Sequence, residues 1–146
     1  SDARLWMPGA REPGRERYVA ELEQAAAAAG IRDALVLTAP TDAIACAYAA
    51  SDLVLQLSRK PEAFGRTVLE ALSVGRPVLG WAHGGVGDLL GALLPAGAVS
   101  PFDADALARA ATTLLDPAAR PPIATMPDTL AAMQAATLAV YSELCP

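Results

Sequence analysis

Short runs rich in Val, Leu and Ala alternate along this 146-residue chain with longer Ala-rich segments of helical period, and this alternation constrains the fold more than any other feature. A chain that repeats strand and helix in turn builds a parallel sheet, because each parallel connection needs a crossover of helical length. The pattern predicts strands at residues 3–7, 34–37, 53–57, 77–81 and 98–99. Between them it predicts a helix at 13–29 with Tyr18, Val19, Leu22 and Ala26 on one face, ended by Gly30. A short helix capped by Thr41 runs to Ala50, and another runs from Gly65 to Val74 with Gly75 as its stop. A glycine loop then leads into a helix at 86–93, and helices at 103–115 and 127–144 close the chain. Residues 116–122 are the one linker-like stretch, and there are no internal repeats.

The segment Glu62-Ala-Phe-Gly-Arg-Thr-Val-Leu-Glu70 carries the most chemistry. It follows the apolar run 53–57, which suits a buried parallel strand, and it opens a helix, so Glu62 precedes the helix and Glu70 lies within it. A helix starting near Gly65 directs unpaired N–H groups and its positive dipole end at the carboxyl edge of the sheet, where open α/β sheets bind ligands. That end suits a diphosphate. Carboxylates repel phosphate but accept charge-assisted hydrogen bonds from hydroxyls, so the two glutamates point to the hydroxyls of a ribose or a hexose. Arg59, Lys60 and Arg66 supply cations beside the same turn, and Lys60 is the chain's only lysine.

Other motifs have simpler readings. Gly84-Gly85-Val-Gly87 after a strand permits a dinucleotide loop, hence an NAD-type oxidoreductase, but Pro95 shortens the following helix and no clear ribose-binding strand end follows. Asp103-Ala-Asp105 superficially matches a metal-binding Asp-x-Asp, yet it opens an amphipathic helix where Asp serves as N-cap, and no metal is expected. His83 is the only histidine, and no G-x-S-x-G elbow is present, so it reads as a local hydrogen-bond partner or a donor contact. Trp6 and Trp81 are expected in the core or at a domain face, with Met126 and Met133 as core filling.

A net charge of −5 and a pI near 4.7 argue against nucleic acid or an anionic membrane as the main partner. Apolar content of 53% is ordinary for a single α/β domain. Cys46 and Cys145 have neither metal spacing nor a disulfide framework, which fits a reducing cytoplasm. No apolar run is long enough to span a bilayer. The chain has no initiator Met and starts almost directly on a strand, which reads as a fragment of a longer protein.

Residues 48–90 resemble the C-terminal donor-binding domain of the retaining, metal-independent family-4 (group 1) glycosyltransferases of the GT-B fold. The resemblance rests on Tyr48-Ala-Ala-Ser-Asp52, Ser58, Glu62-x7-Glu70 with Ala71, Gly75-Arg-Pro-Val78, and Gly84-Gly85 before Asp88. More loosely it covers nearly the whole chain. It implies a Rossmann-like doubly wound parallel sheet, truncated at its N-terminal edge, and residues 1–146 as a single nucleotide-sugar-binding domain of a two-domain enzyme. It further implies that Glu62 is the catalytic-site carboxylate near the donor hexose and that Glu70 holds the ribose hydroxyls. Backbone N–H groups of Phe64, Gly65, Arg66 and Thr67 would face sugar and phosphate, with Ser58, Lys60, His83, Gly84 and Gly85 as further donor contacts.

The implied reaction transfers a hexosyl group from a nucleoside-diphosphate sugar and requires no cofactor. Asp88 stands where that family usually has glutamate, and Thr38 where a glycine often ends the strand beneath the base. The family's phosphate-binding Arg and Lys are expected upstream of Ser1, as is the N-terminal acceptor domain, so this polypeptide alone is expected not to transfer sugar. Arg11, Arg15 and Arg17 read as solvated helix charges. Leu130, Met133, Leu138, Val140 and Tyr141 place apolar groups around much of the last helix, which predicts a face covered by a partner domain. The alternative reading is a non-catalytic nucleotide-binding or interaction domain with the same architecture.

Overall fold

Residues 3–118, 123 and 130–144 are described by the structure, a computed structural model. Contacts group them into two compact units, Ser1–Ile44 and Ala45–Pro146. In the first unit, β1 (Leu5–Met7) pairs in parallel with β2 (Leu35–Leu37), with Leu5 opposite Leu35 and Met7 opposite Leu37. The helix α1 (Glu16–Ala28) connects them. Trp6 is 38% exposed and donates its indole N–H to Thr38 Oγ1 at 3.0 Å, so it satisfies its polar edge at the surface of this unit and is not core.

The helix α2 (Ile44–Ala50) spans the boundary between the units. Thr41 does not cap it directly: Thr41 Oγ1 accepts from Ala43 N–H at 3.1 Å, in a turn that ends before the helix begins. The second unit continues with β3 (Val54–Gln56), α3 (Arg66–Ser73), β4 (Val78–Trp81), α4 (Gly84–Leu93), β5 (Ala98–Val99), α5 (Ala104–Leu115) and α6 (Leu130–Leu144). Its three strands are parallel in the order β3-β4-β5, with Gln56 opposite Gly80 and Trp81 opposite Val99. The α/β class with parallel strands is the one the sequence alternation predicts.

All four residues of β4 are buried. Successive strand residues point to opposite faces, so both faces of this central strand are covered. Val68, Ala71 and Leu72 from α3, Val86, Leu90 and Leu93 from α4, and Leu114 from α5 pack around Leu79 and Val78. Each of the larger side chains contributes on the order of 1.5–3 kcal/mol by leaving water. Gly80 lies under this packing: a Cβ there would sit 3.1 Å from Val86 Cγ1 and 2.8 Å from the Gln56 carbonyl. Without a side chain, β4 lets α4 seat directly on the sheet.

The helix ends follow local rules. Gly75 has φ +75°, its N–H donates to Leu72 O at 2.9 Å, and Arg76 N–H donates to Ala71 O at 3.0 Å. This is the paired hydrogen-bond pattern that a left-handed residue makes at a helix stop, and Gly30 repeats it after α1 with Ala27 O and Ala26 O. At the start of α5, Asp103 accepts from Ala106 N–H at 2.8 Å, so the Asp-x-Asp is a helix cap.

Two expectations are corrected by α4 and α6. The glycines after β4 belong to the first turn of α4, which begins at Gly84, two residues before the predicted start. Met133 is 59% exposed on α6 and does not fill the core, while Met126 lies outside the described residues. Along α6, Leu130, Leu138, Val140 and Tyr141 are likewise exposed, each by more than half. The predicted helix residues 127–129 lie outside the described residues.

Candidate functional site

The carboxyl end of β3, the turn that follows and the first turns of α3 and α4 converge in the second unit. Glu62 stands in this turn, half-buried. Its Oε1 accepts from Gln56 Nε2 at 2.9 Å and lies 2.6 Å from Ser58 Oγ. Both donors are neutral, so the carboxylate keeps an uncompensated charge while its orientation is held. His83, the residue before α4, places Nε2 3.0 Å from the Ser58 carbonyl, which can only accept, so Nε2 carries the proton. Its ring meets Phe102 edge-on, with centroids 6.4 Å apart.

Glu70 is one turn inside α3 and belongs to a second cluster. Tyr48, from α2, donates its hydroxyl to Glu70 Oε2 at 3.1 Å, and Arg66 NH2 lies 3.2 Å from Oε1. Burial is the main cause holding the Tyr48 phenol above its usual range, reinforced by its hydrogen bond to Glu70; a hydrogen bond with Thr67 acts the other way. The Arg66 side chain is 82% exposed, so its i,i+4 pair with Glu70 is a weak constraint and leaves the guanidinium able to turn elsewhere. The α3 helix starts at a Gly65 N-cap that makes no side-chain cap hydrogen bond, and Gly65 itself is buried against Val86, whose Cγ2 a Cβ there would meet at 3.2 Å.

The glycines of α4 bring the Glu62 turn against the second helix. Gly85 N–H donates to the Glu62 carbonyl at 2.8 Å. A Cβ at Gly84 would lie 2.6 Å from that carbonyl, and one at Gly85 would lie 2.6 Å from Ala63 O. The space that a dinucleotide loop leaves for phosphate is occupied here by the backbone of residues 62–64, which removes the basis of the oxidoreductase reading.

Of the residues singled out in the sequence, Ser58, Glu62, His83 and Gly85 form one connected set, and Arg66, Thr67 and Glu70 another. Phe64, 60% exposed, and Gly65 join the two along the turn. Lys60 is exposed, as are Gly84 and Asp88. Sequence reasoning assigned no role to Gln56 or Tyr48. The available signal for Gln56 was a lone polar residue ending an apolar strand.

In the first unit, the Arg11 side chain pairs with Glu23 at 2.8 Å and donates Nε to Leu37 O at 3.1 Å, which ties it to the end of β2. Arg15 and Arg17 make surface pairs with Glu12 and Glu21. A cavity of about 540 Å³ in this unit is lined by Arg11, Glu12, Glu16, Val19 and Glu23 among others, and none of its lining residues belongs to the two glutamate clusters. Among the described residues no group of three or more His, Cys, Asp or Glu is placed to hold a metal ion, and no helix is long and apolar enough to cross a membrane.

Comparison with known proteins identifies the family. Residues 2–121 match the family model described as glycosyl transferases group 1. The chain is 39% identical over 101 residues to the 2-deoxystreptamine N-acetyl-D-glucosaminyltransferase of Streptomyces fradiae, covering 68% of this chain and 23% of that protein. It is 34% identical over 99 residues to the 2-deoxystreptamine glucosyltransferase of Streptomyces kanamyceticus, covering 66% and 25%. The chain thus spans about a quarter of the length of these curated relatives.

Among solved structures, Anabaena HepE in complex with UDP and glucose superposes with a TM-score of 0.70 at 28% identity, over 79% of this chain and 31% of that one. A glycosyltransferase from Rickettsia africae shares the fold, with a TM-score of 0.66 at 22% identity over 77% and 29% of the two chains. From the match over residues 2–121, the curated relatives and the shared fold it follows that the chain belongs to the glycosyl transferases group 1 family, as the C-terminal domain of its GT-B fold.

Proposed function

We propose that residues 1–146 form the donor-binding half of a retaining, metal-independent glycosyltransferase that takes a hexosyl group from UDP-hexose. The observation that carries this reading is the placement of two separately anchored carboxylates, Glu62 and Glu70, on either side of the uncapped start of α3. A diphosphate at that helix start meets backbone N–H groups and the positive end of the dipole. Glu70 then faces the ribose diol and Glu62 the hexose hydroxyls. Anabaena HepE was crystallised with UDP and with UDP-glucose, which supports both the nucleotide and the sugar class.

In this reading the bond between the anomeric carbon and the diphosphate breaks as negative charge grows on the leaving group. The α3 start, with Arg66 and Lys60 turned toward it, stabilises that charge, and Glu62 fixes the hexose for transfer. The departing charge is met by amides and cations, so no metal is required. The 2-deoxystreptamine named for both curated relatives is the first acceptor to try, and a cytoplasmic setting fits the free Cys46.

Calorimetric titration of the intact protein with UDP, GDP and NAD tests the nucleotide class. UDP-glucose turnover by the full-length enzyme, acceptor domain included, with and without chelator and followed by NMR of the product anomer, tests metal independence and retention. A protein that binds none of the nucleotides sinks the proposal. Binding of UDP without any transfer by the full-length enzyme, acceptor domain included, would favour the non-catalytic alternative.

A further inference from the structure

We propose that Gln56 is a positioning residue which, with Ser58, presents one chosen oxygen of Glu62 to the donor sugar; the inference rests on the function proposed above. Gln56 ends β3 among Val54, Leu55 and Leu57, a polar side chain where an apolar strand would otherwise continue. Its carboxamide bridges two site residues. Oε1 lies 3.4 Å from Ser58 N, and Nε2 donates to Glu62 Oε1 at 2.9 Å.

Ser58 Oγ lies 3.1 Å from Gln56 Oε1 and 2.6 Å from Glu62 Oε1. A hydroxyl has one proton, and the shorter contact to a charged acceptor takes it. Glu62 Oε1 therefore receives both donors, and among the described residues Oε2 takes none. The terminal torsion of a glutamate is otherwise broad and roughly two-fold, so two donors on one oxygen define which oxygen is left for ligand and where it lies.

The clamp is supported on two sides. Gln56 pairs in register with Gly80 on the buried strand β4, and His83 holds the Ser58 carbonyl at 3.0 Å. Because both donors are neutral, they orient Glu62 without cancelling the charge that recognises sugar hydroxyls. A cation in their place, as Arg66 is for Glu70, would pair with that charge.

The test uses Gln56→Met in the intact protein, which keeps the length of the side chain and removes the donor. UDP-glucose affinity falls about tenfold, the cost of losing a hydrogen bond to a charged group, while UDP affinity is unchanged. For turnover by the full-length enzyme, kcat falls and the KM for UDP-glucose rises. In a Glu62→Ala background the same substitution has no further effect on UDP-glucose, because Gln56 acts only through Glu62. Gln56→Leu, apolar and close to glutamine in size, replaces the Met variant if that one does not fold and carries the same expectation. Equal losses for UDP and UDP-glucose, or additive effects in the Glu62→Ala background, overturn the assignment. If the unmodified protein binds no UDP at all, the function proposed above fails, and this inference fails with it.

Discussion

Replacing Glu70 by glutamine keeps the side chain's shape and removes its charge, which isolates what the carboxylate does for a nucleotide. In the protein without ligand, Glu70 is engaged on both oxygens, by Tyr48 at 3.1 Å and Arg66 at 3.2 Å. The Arg66 pair is exposed and is worth at most about 1 kcal/mol. Glutamine retains a carbonyl for Arg66, and its amide can donate to the Tyr48 oxygen. Global stability should therefore move by less than about 1 kcal/mol. A ribose diol, however, gives both hydroxyls to a charged acceptor, and neutralising that acceptor costs about 1.5–3 kcal/mol. In Kd this is roughly a ten- to 150-fold loss. Calorimetry of wild type and Glu70→Gln with UDP measures it, with thermal melts as the control for folding. The same titration with 2′-deoxy-UDP locates the effect, since the gap between the two proteins should shrink when one diol hydroxyl is missing. UDP affinity within twofold of wild type, at unchanged melting temperature, would refute the ribose assignment.

Other outcomes follow from packing and titration. Gly85→Ala should cost about 1–3 kcal/mol and lower the melting temperature, because its Cβ would meet Ala63 O at 2.6 Å, whereas Gly91→Ala, with nothing within 4 Å, should gain about 0.5–1 kcal/mol. Leu90→Ala, fully buried, should lose about 2–5 kcal/mol in urea unfolding, and Leu138→Ala, 65% exposed, about 0.5 kcal/mol or less. The Tyr48 phenol is raised from 10.0, so the native state holds its proton more tightly than the unfolded chain. That contribution is complete below pH 10 and is lost as pH rises through the raised value. Denaturation at pH 8 and above pH 10 should therefore show a smaller alkaline loss for Tyr48→Phe than for wild type.

The parts of this protein that sequence alone determined are those governed by neighbours within a few residues. Gly30 and Gly75 stop their helices because a left-handed residue closes the last turn with two local hydrogen bonds, whatever packs nearby. Asp103 caps α5 for the same local reason. The parallel strands follow from the alternation of periods, and the 62–70 spacing places one glutamate before α3 and one within it.

Only tertiary structure decided what those residues touch. Gly84 and Gly85 look like a phosphate loop in sequence, but the space their missing side chains leave is filled by the backbone of residues 62–64, which is close only because α3 and α4 both pack on β4. Gln56 is hidden within an apolar run, and its pairing with Glu62 depends on a turn that brings residues six apart together. Tyr48 reaches Glu70 across 22 positions. Trp6 and Met133 have core-forming side chains, yet both are exposed, because burial depends on whether another element covers that face and no local pattern records it. Periodicity fixes which way a side chain leaves its own helix or strand; the partner it meets is set by the assembly of elements distant in the chain.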